Sequence, residues 1–169
     1  MDDPTPTDHN RLGRDPAHST ALDVTALEVV SAYCDAWLAG DAMAVVALYH
    51  DDLTLTWPGR HHLAGVHRGR EASIEALLAL GALADREPVE IVDLLAGRAG
   101  AIAVVRERWT RPTADAEAAG GPASIEITRA LDYTVIDGRL ATCRVFELDQ
   151  PAIDDWLGEA VHCHTLSGQ

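Results

Sequence analysis

The sequence predicts an α+β domain in which three helices pack on a curved antiparallel sheet. Apolar residues recur at helical spacing up to about residue 83 and at a period of two from about residue 89. With 169 residues and 47% hydrophobic composition, the chain can build one core and is too short to argue for two. There is no internal repeat, and helices followed by strands fit a plan in which the helices cover one sheet face.

Residues 1–20, rich in Pro, Asp, Thr and His, are expected to form a disordered leader, because so little apolar surface cannot offset the entropy of ordering. From Asp23, the spacing of Leu27, Val30, Tyr33 or Cys34, and Trp37 predicts a first helix that stops at Gly40. Asp41 caps a second helix from Ala42 to about Tyr49. The alternation of Leu53, Leu55 and Trp57 with Thr54 and Thr56 is that of a half-buried strand, broken by Pro58-Gly59. Ile74, Leu77 and Leu78 give a third helix an inner face over about 71–83, and Pro88 closes that region. Four strands are expected at about 89–96, 101–111, 124–137 and 140–149, with a loop at 113–122 and a tight turn at Asp137-Gly138. Pro151 starts a short last helix, about 152–157, before a loose tail from residue 159, so the folded domain is expected to span 21–158.

Composition narrows the partners. A formal net charge of −14 argues against nucleic acid and anionic membrane surfaces, both of which are bound through Lys and Arg. No apolar run approaches the roughly 20 residues of a membrane helix. Cys34, Cys143 and Cys163 are odd in number and widely spaced, which fits a reducing, cytoplasmic setting better than a disulfide framework. The face carrying Leu131, Tyr133 and Val135 is assigned to the outside of the sheet, where its apolar character implies a homodimer.

The stretch from Trp57 to Glu71 joins a strand end, a turn and a helix start, and it holds His61, His62 and His67. It is read as the lip of a pocket. These histidines are candidate proton acceptors near neutral pH, His67 first, or else solvated loop residues. They lack a third ligand at motif spacing, so no metal is expected, and His162-Cys163-His164 is assigned to the loose tail. Trp37 and Trp57 are candidates for an aromatic pocket wall or for core filling.

Several landmarks carry a family likeness: Tyr33-Cys34-Asp35-Ala36-Trp37-Leu38-Ala39-Gly40-Asp41, Ala47-Leu48-Tyr49-His50-Asp51-Asp52, Trp57-Pro58-Gly59-Arg60, Arg68-Gly69-Arg70-Glu71 and Asp137-Gly138-Arg139-Leu140. Over about residues 25–158 the chain resembles the nuclear transport factor 2-like superfamily, and within it SnoaL-like proteins and relatives of ketosteroid isomerase. The resemblance implies a cone-shaped fold whose helices and sheet enclose a pocket. It also implies an oxyanion hole made of Tyr33, seven residues before Gly40, and Asp132. The isomerase general base would stand at Trp57, so that base is missing. Limonene-type epoxide hydrolases use an Asp-Arg-Asp set; Arg108 resembles the Arg, whereas Thr110 and Val145 stand at the carboxylate positions.

If the face of Ala130, Asp132, Thr134 and Ile136 looks inward, Asp132 is an acid in apolar surroundings; otherwise it is an ion-pair partner of Arg108 or Arg129. Arg108 inward places Glu107 outward, and Arg108 then binds a substrate oxygen. The expected activity is that of a cofactor-free SnoaL-like isomerase, cyclase or dehydratase. It would act through Tyr33, Asp132 and His67 on a small hydrophobic metabolite held by Trp37, Trp57, His61, His62 and Arg108, in secondary metabolism. The alternatives are a non-catalytic small-molecule-binding protein, an epoxide hydrolase-like enzyme with a rearranged acid/base set, and a dimerisation module with a filled cone.

Overall fold

The computed structural model describes residues 19–97, 100–112 and 123–158. The leader up to residue 18, the expected 113–122 loop and the tail from residue 159 lie outside the described residues. The first helix, α1 (Ser19–Leu38), starts four residues before Asp23 and crosses the strands Asp85–Ala96 and Gly100–Thr110 on the inner sheet face. Asp41 caps α2 (Ala42–Ala47) by accepting from the Ala44 N–H at 3.0 Å. That helix is shorter than expected, because Tyr49 already begins β1 (Tyr49–Trp57).

The chain turns back through β2 (Gly65–Arg68), a short strand that the sequence reading treats as part of the lip, into α3 (Arg70–Leu83). The buried Ser73 hydroxyl of α3 donates to the carbonyls of Leu53 (3.3 Å) and His67 (3.2 Å), which fixes the helix across β1 and β2. The meander follows as β3 (Asp85–Ala96), β4 (Gly100–Thr110), β5 (Ser124–Ile136) and β6 (Arg139–Glu147). Pro88 does not close the helical region; it lies inside β3, at the free edge of the sheet, where a missing N–H is tolerated, and the register slips between Pro88 and Glu90. The sheet order is β2-β1-β6-β5-β4-β3, with β1 parallel to β6 and the other pairs antiparallel. The β5–β6 turn carries positive φ at Asp137 (50°) and Gly138 (71°), the pair of conformations a tight hairpin needs.

In β4 and β5 the inner sheet face is the odd-numbered one. Ala101, Ala103, Val105, Glu107 and Trp109 of β4 are buried, as are Ile127, Arg129, Leu131 and Tyr133 of β5. Two expectations fall with this. Leu131 and Tyr133 point into the cone, so the apolar face assigned to a dimer surface is the interior, and the outward face carries ion pairs of Arg106 with Glu90 and of Arg108 with Glu87 and Glu126. Asp132 likewise points outward, where it pairs with Arg144 of β6. No helix among the described residues is long and apolar enough to cross a membrane.

A last helix, α4 (Gln150–Leu157), starts on the Asp149 cap and buries Ile153, Asp154, Trp156 and Leu157 against one end of the cone. Asp154 locks it to the turn after β1. Its carboxylate accepts from the Arg60 N–H (2.8 Å) and the Gln150 amide (3.1 Å), and these donors hold its pKa below the ordinary value despite burial. Gly59 makes room for the lock: its φ is +115°, and a Cβ there would stand 2.3 Å from the Asp154 carboxylate. Gly59→Ala is therefore expected to destabilise the fold by about 1–3 kcal/mol, read as a lower midpoint of urea unfolding. A midpoint equal to wild type would show that the lock carries no stability.

Candidate active site

The helices and the inner sheet face enclose a cavity of about 290 Å³, at the small end of ligand-pocket sizes. Its walls are largely apolar, with Val45, Val46, Ile74, Leu77, Leu131 and Val145 among them. The polar side chains on its surface are Tyr33, Tyr49, Tyr133, Arg86, Ser73 and Cys143, together with the indoles of Trp37 and Trp57. Among the lining residues there is no carboxylate and no imidazole.

The three tyrosines come from α1, β1 and β5 and cluster because their rings fill the same inner layer. Tyr33 lies 6.0 Å from Tyr49 and 5.4 Å from Tyr133 between ring centroids, and the Tyr33 and Tyr49 hydroxyls are 3.5 Å apart. Burial raises the pKa of all three, well above the ordinary value for Tyr33 and Tyr133. Burial also pushes the Cys143 thiol up to about 12. These groups stay protonated at neutral pH, which makes the tyrosines donors and leaves the thiol unreactive.

Beneath the cavity runs a ladder of charges, one from each of four adjacent strands. Arg86 of β3 donates through Nε (3.0 Å) and Nη2 (2.7 Å) to Glu107 of β4. Glu107 Oε1 lies 3.4 Å from Nη1 of Arg129 on β5. Arg129 in turn holds Glu147 of β6 through Nε (3.1 Å) and Nη2 (2.5 Å). The side chains of Glu107 and Glu147 are wholly buried, and that of Arg129 is 3% exposed. Indoles complete the ladder: Trp109 donates to Glu107 at 2.9 Å and Trp57 to Glu147 at 3.1 Å, while the Arg129 guanidinium lies 4.7 Å from the Trp109 ring centre and 5.3 Å from that of Trp57. Burial alone would raise the Glu107 pKa; Arg86, Arg129 and the Trp109 N–H outweigh it and hold the carboxyl below its ordinary range.

The structure brings Tyr33, Trp37 and Trp57 to the cavity and leaves the other expected site residues elsewhere. Asp132 is on the outer face, paired with Arg144. Arg108 points outward with its side chain 42% exposed, and Glu107 is the inward residue, the reverse of the expected orientation. His67 of β2 is bonded through Nε2 to the Leu63 carbonyl at 2.9 Å, and His62 is exposed. His61 is buried behind Trp57, with ring centres 5.6 Å apart. None of these residues lines the cavity. Tyr49, Tyr133 and Arg86 are the site residues the sequence reading passed over. Tyr133 was signalled by the odd-numbered apolar run Ile125, Ile127, Leu131, Tyr133 and Val135.

Residues 30–143 match the SnoaL-like domain. The chain belongs to the SnoaL-like family. Solved structures of the nuclear transport factor 2-like fold agree with this. A protein from Burkholderia xenovorans LB400 superposes with a TM-score of 0.64 at 18% identity, covering 80% of this chain and 97% of that one. A candidate polyketide cyclase from Xanthomonas campestris pv. campestris gives 0.62 at 20% identity, with 79% and 98% covered. An epoxide hydrolase of M. tuberculosis, resembling the limonene enzyme, gives 0.59 at 20% identity, with 79% and 85% covered. At these identities the likeness shows the fold alone. No curated protein matches the sequence.

Two predictions follow from the buried charges. Glu107→Gln strips Arg86 and Arg129 of their shared counter-charge and is expected to cost about 3–5 kcal/mol in chemical unfolding; a loss below 1 kcal/mol would show that the ladder is not closed through Glu107. Burial lowers the pKa of His61 from its ordinary 6.5, against the opposing pull of Asp154 and the Pro58 backbone and with smaller help from His62 and Arg129. The folded state then binds fewer protons than the unfolded one, so stability is full above pH 6.5 and declines as the pH falls through the window between 6.5 and the lowered folded value. His61→Gln should flatten the slope between pH 7 and 5, and an unchanged slope would assign it to another group.

Proposed function

We propose that this SnoaL-like protein takes a small, largely apolar molecule bearing a carbonyl or hydroxyl oxygen into the cone and polarises that oxygen through tyrosine hydroxyls. The observation that carries the reading is the donor set of the cavity. Ser73 is committed to two backbone carbonyls and the Trp57 N–H to Glu147, so the strong donors left to meet a ligand are Tyr33, Tyr49, Tyr133 and Arg86, beside the Trp37 indole and the weakly donating Cys143 thiol. Hydroxyl donors and a guanidinium in an apolar enclosure favour negative charge growing on an oxygen, as in an enolate or alkoxide. The reaction class this suits is a cofactor-free cyclisation, isomerisation or dehydration, and the free thiols Cys34 and Cys143 fit a cytoplasmic setting.

A second reading, binding without turnover, is favoured by one observation: among the described residues no carboxylate or imidazole lines the cavity to accept a proton. Tyr33 and Tyr133 separate the readings. Incubation with a library of enones, epoxides and polyketide esters, followed by mass spectrometry, measures turnover, and calorimetry measures binding. Tyr33→Phe/Tyr133→Phe is expected to weaken binding of an enone about tenfold and to abolish any turnover, while binding of the hydrocarbon of the same shape is unchanged. Equal enone binding by wild type and the double variant would refute the proposal. Binding without product would favour the second reading.

A further inference from the structure

Resting on that reading, we propose that the natural ligand is a hydrophobic carboxylate, whose anionic head is set on the Arg86 guanidinium while its apolar body fills the cavity under α2 and α3. Among the described residues Arg86 is the one charged residue on the cavity wall, and its side chain is 20% exposed, in contrast to the other three members of the ladder. The alternation of sign across β6, β5, β4 and β3 puts a cation at the cavity end, so a ligand meets positive charge first.

The guanidinium has donors to spare. Its Nε and one Nη2 hydrogen are spent on a single carboxylate oxygen of Glu107, and Nη1 makes no hydrogen bond among the described residues. Glu107 is also shared with Arg129 and Trp109, so it compensates Arg86 incompletely. The Trp37 ring, 5.6 Å from the guanidinium carbon, and the ring of Trp109 at 5.8 Å hold Arg86 in place. Tyr33 and Tyr49 line the same cavity and add hydroxyl donors to it. With a formal net charge of −14, the protein as a whole repels anions, so attraction for one must come from this local arrangement. A rigid cationic fork flanked by hydroxyl donors, beneath walls of Val45, Val46, Ile74 and Leu77, matches a carboxylate with a hydrocarbon body.

The test compares 2-naphthoate with 2-naphthamide, which has nearly the same shape and no charge, by calorimetry at pH 7. Wild type is expected to bind the acid at least about tenfold more tightly. Arg86→Gln/Glu107→Gln removes one charge of each sign; in that variant, checked as folded by circular dichroism, the two ligands should bind within about twofold of each other. Arg86→Lys, which keeps a cation beside Glu107, serves as a second variant and should narrow the gap. Equal affinity of acid and amide for wild type, or a gap that persists unchanged in the variants, would overturn the carboxylate assignment and leave the small-molecule reading standing. Binding of neither ligand would overturn both.

Discussion

The ion ladder Arg86–Glu107–Arg129–Glu147 is the interaction on which the rest of this structure depends. Each member comes from a different strand, and the register brings them side by side: Arg129 pairs with Glu147 across β5 and β6, and Arg86 lies opposite Trp109 across β3 and β4. Burying four charges costs several kcal/mol per ion before they attract one another. The ladder answers with alternating signs, two indole N–H donors and guanidinium faces packed on Trp57 and Trp109. A one-residue slip of any of these strands would turn its charge to the outside and strand its neighbours unpaired. The ladder therefore fixes register in a sheet whose other inner residues are mostly small or aliphatic.

The same ladder divides the interior in two. On one side α4 packs Trp156 against Trp109, with ring centres 5.8 Å apart, and Asp154 ties it to the turn after β1. On the other side the space under α1, α2 and α3 is left open and is lined by tyrosines. Trp57 belongs to both halves: its face is cavity wall and its N–H ends the ladder on Glu147. Trp57 is thus committed to structure, and the polar chemistry of the cavity resides in hydroxyls and a guanidinium.

The architecture was legible because it depends on periodicity and punctuation, which are local. Leu53, Leu55 and Trp57 alternate and Asp137-Gly138 turns, whereas along α3 the buried positions are Ser73, Ala76 and Leu80, and Leu78 of the expected inner face is exposed. The orientation of the sheet was legible too, but only where hydrophobic parity was allowed to decide. Along β5 the odd positions are apolar except Arg129, and along β4 they are apolar except Glu107. Those two exceptions are the ladder. A lone charge in an apolar face is costly, so the faces of Asp132 and Arg108 looked like alternatives until the partners across the sheet were visible. The pairing of Glu107 with Arg86 joins residues 21 apart, and that of Arg129 with Glu147 residues 18 apart; neither separation follows from the chain without the register. The tyrosine cluster was hidden for the same reason, since Tyr33, Tyr49 and Tyr133 meet only after three elements have packed.

The central claim is that Glu107 stays ionised in the protein interior and so holds Arg86 as a cation at the cavity. Carbon-13 NMR of the glutamate side-chain carboxyls, with Glu107 assigned through Glu107→Gln, measures this directly. The account predicts that the Glu107 carboxyl shows the chemical shift of a carboxylate at every pH down to its ordinary value of 4.5 and titrates only below it. A midpoint above 4.5, or the shift of a protonated acid at neutral pH, would contradict it.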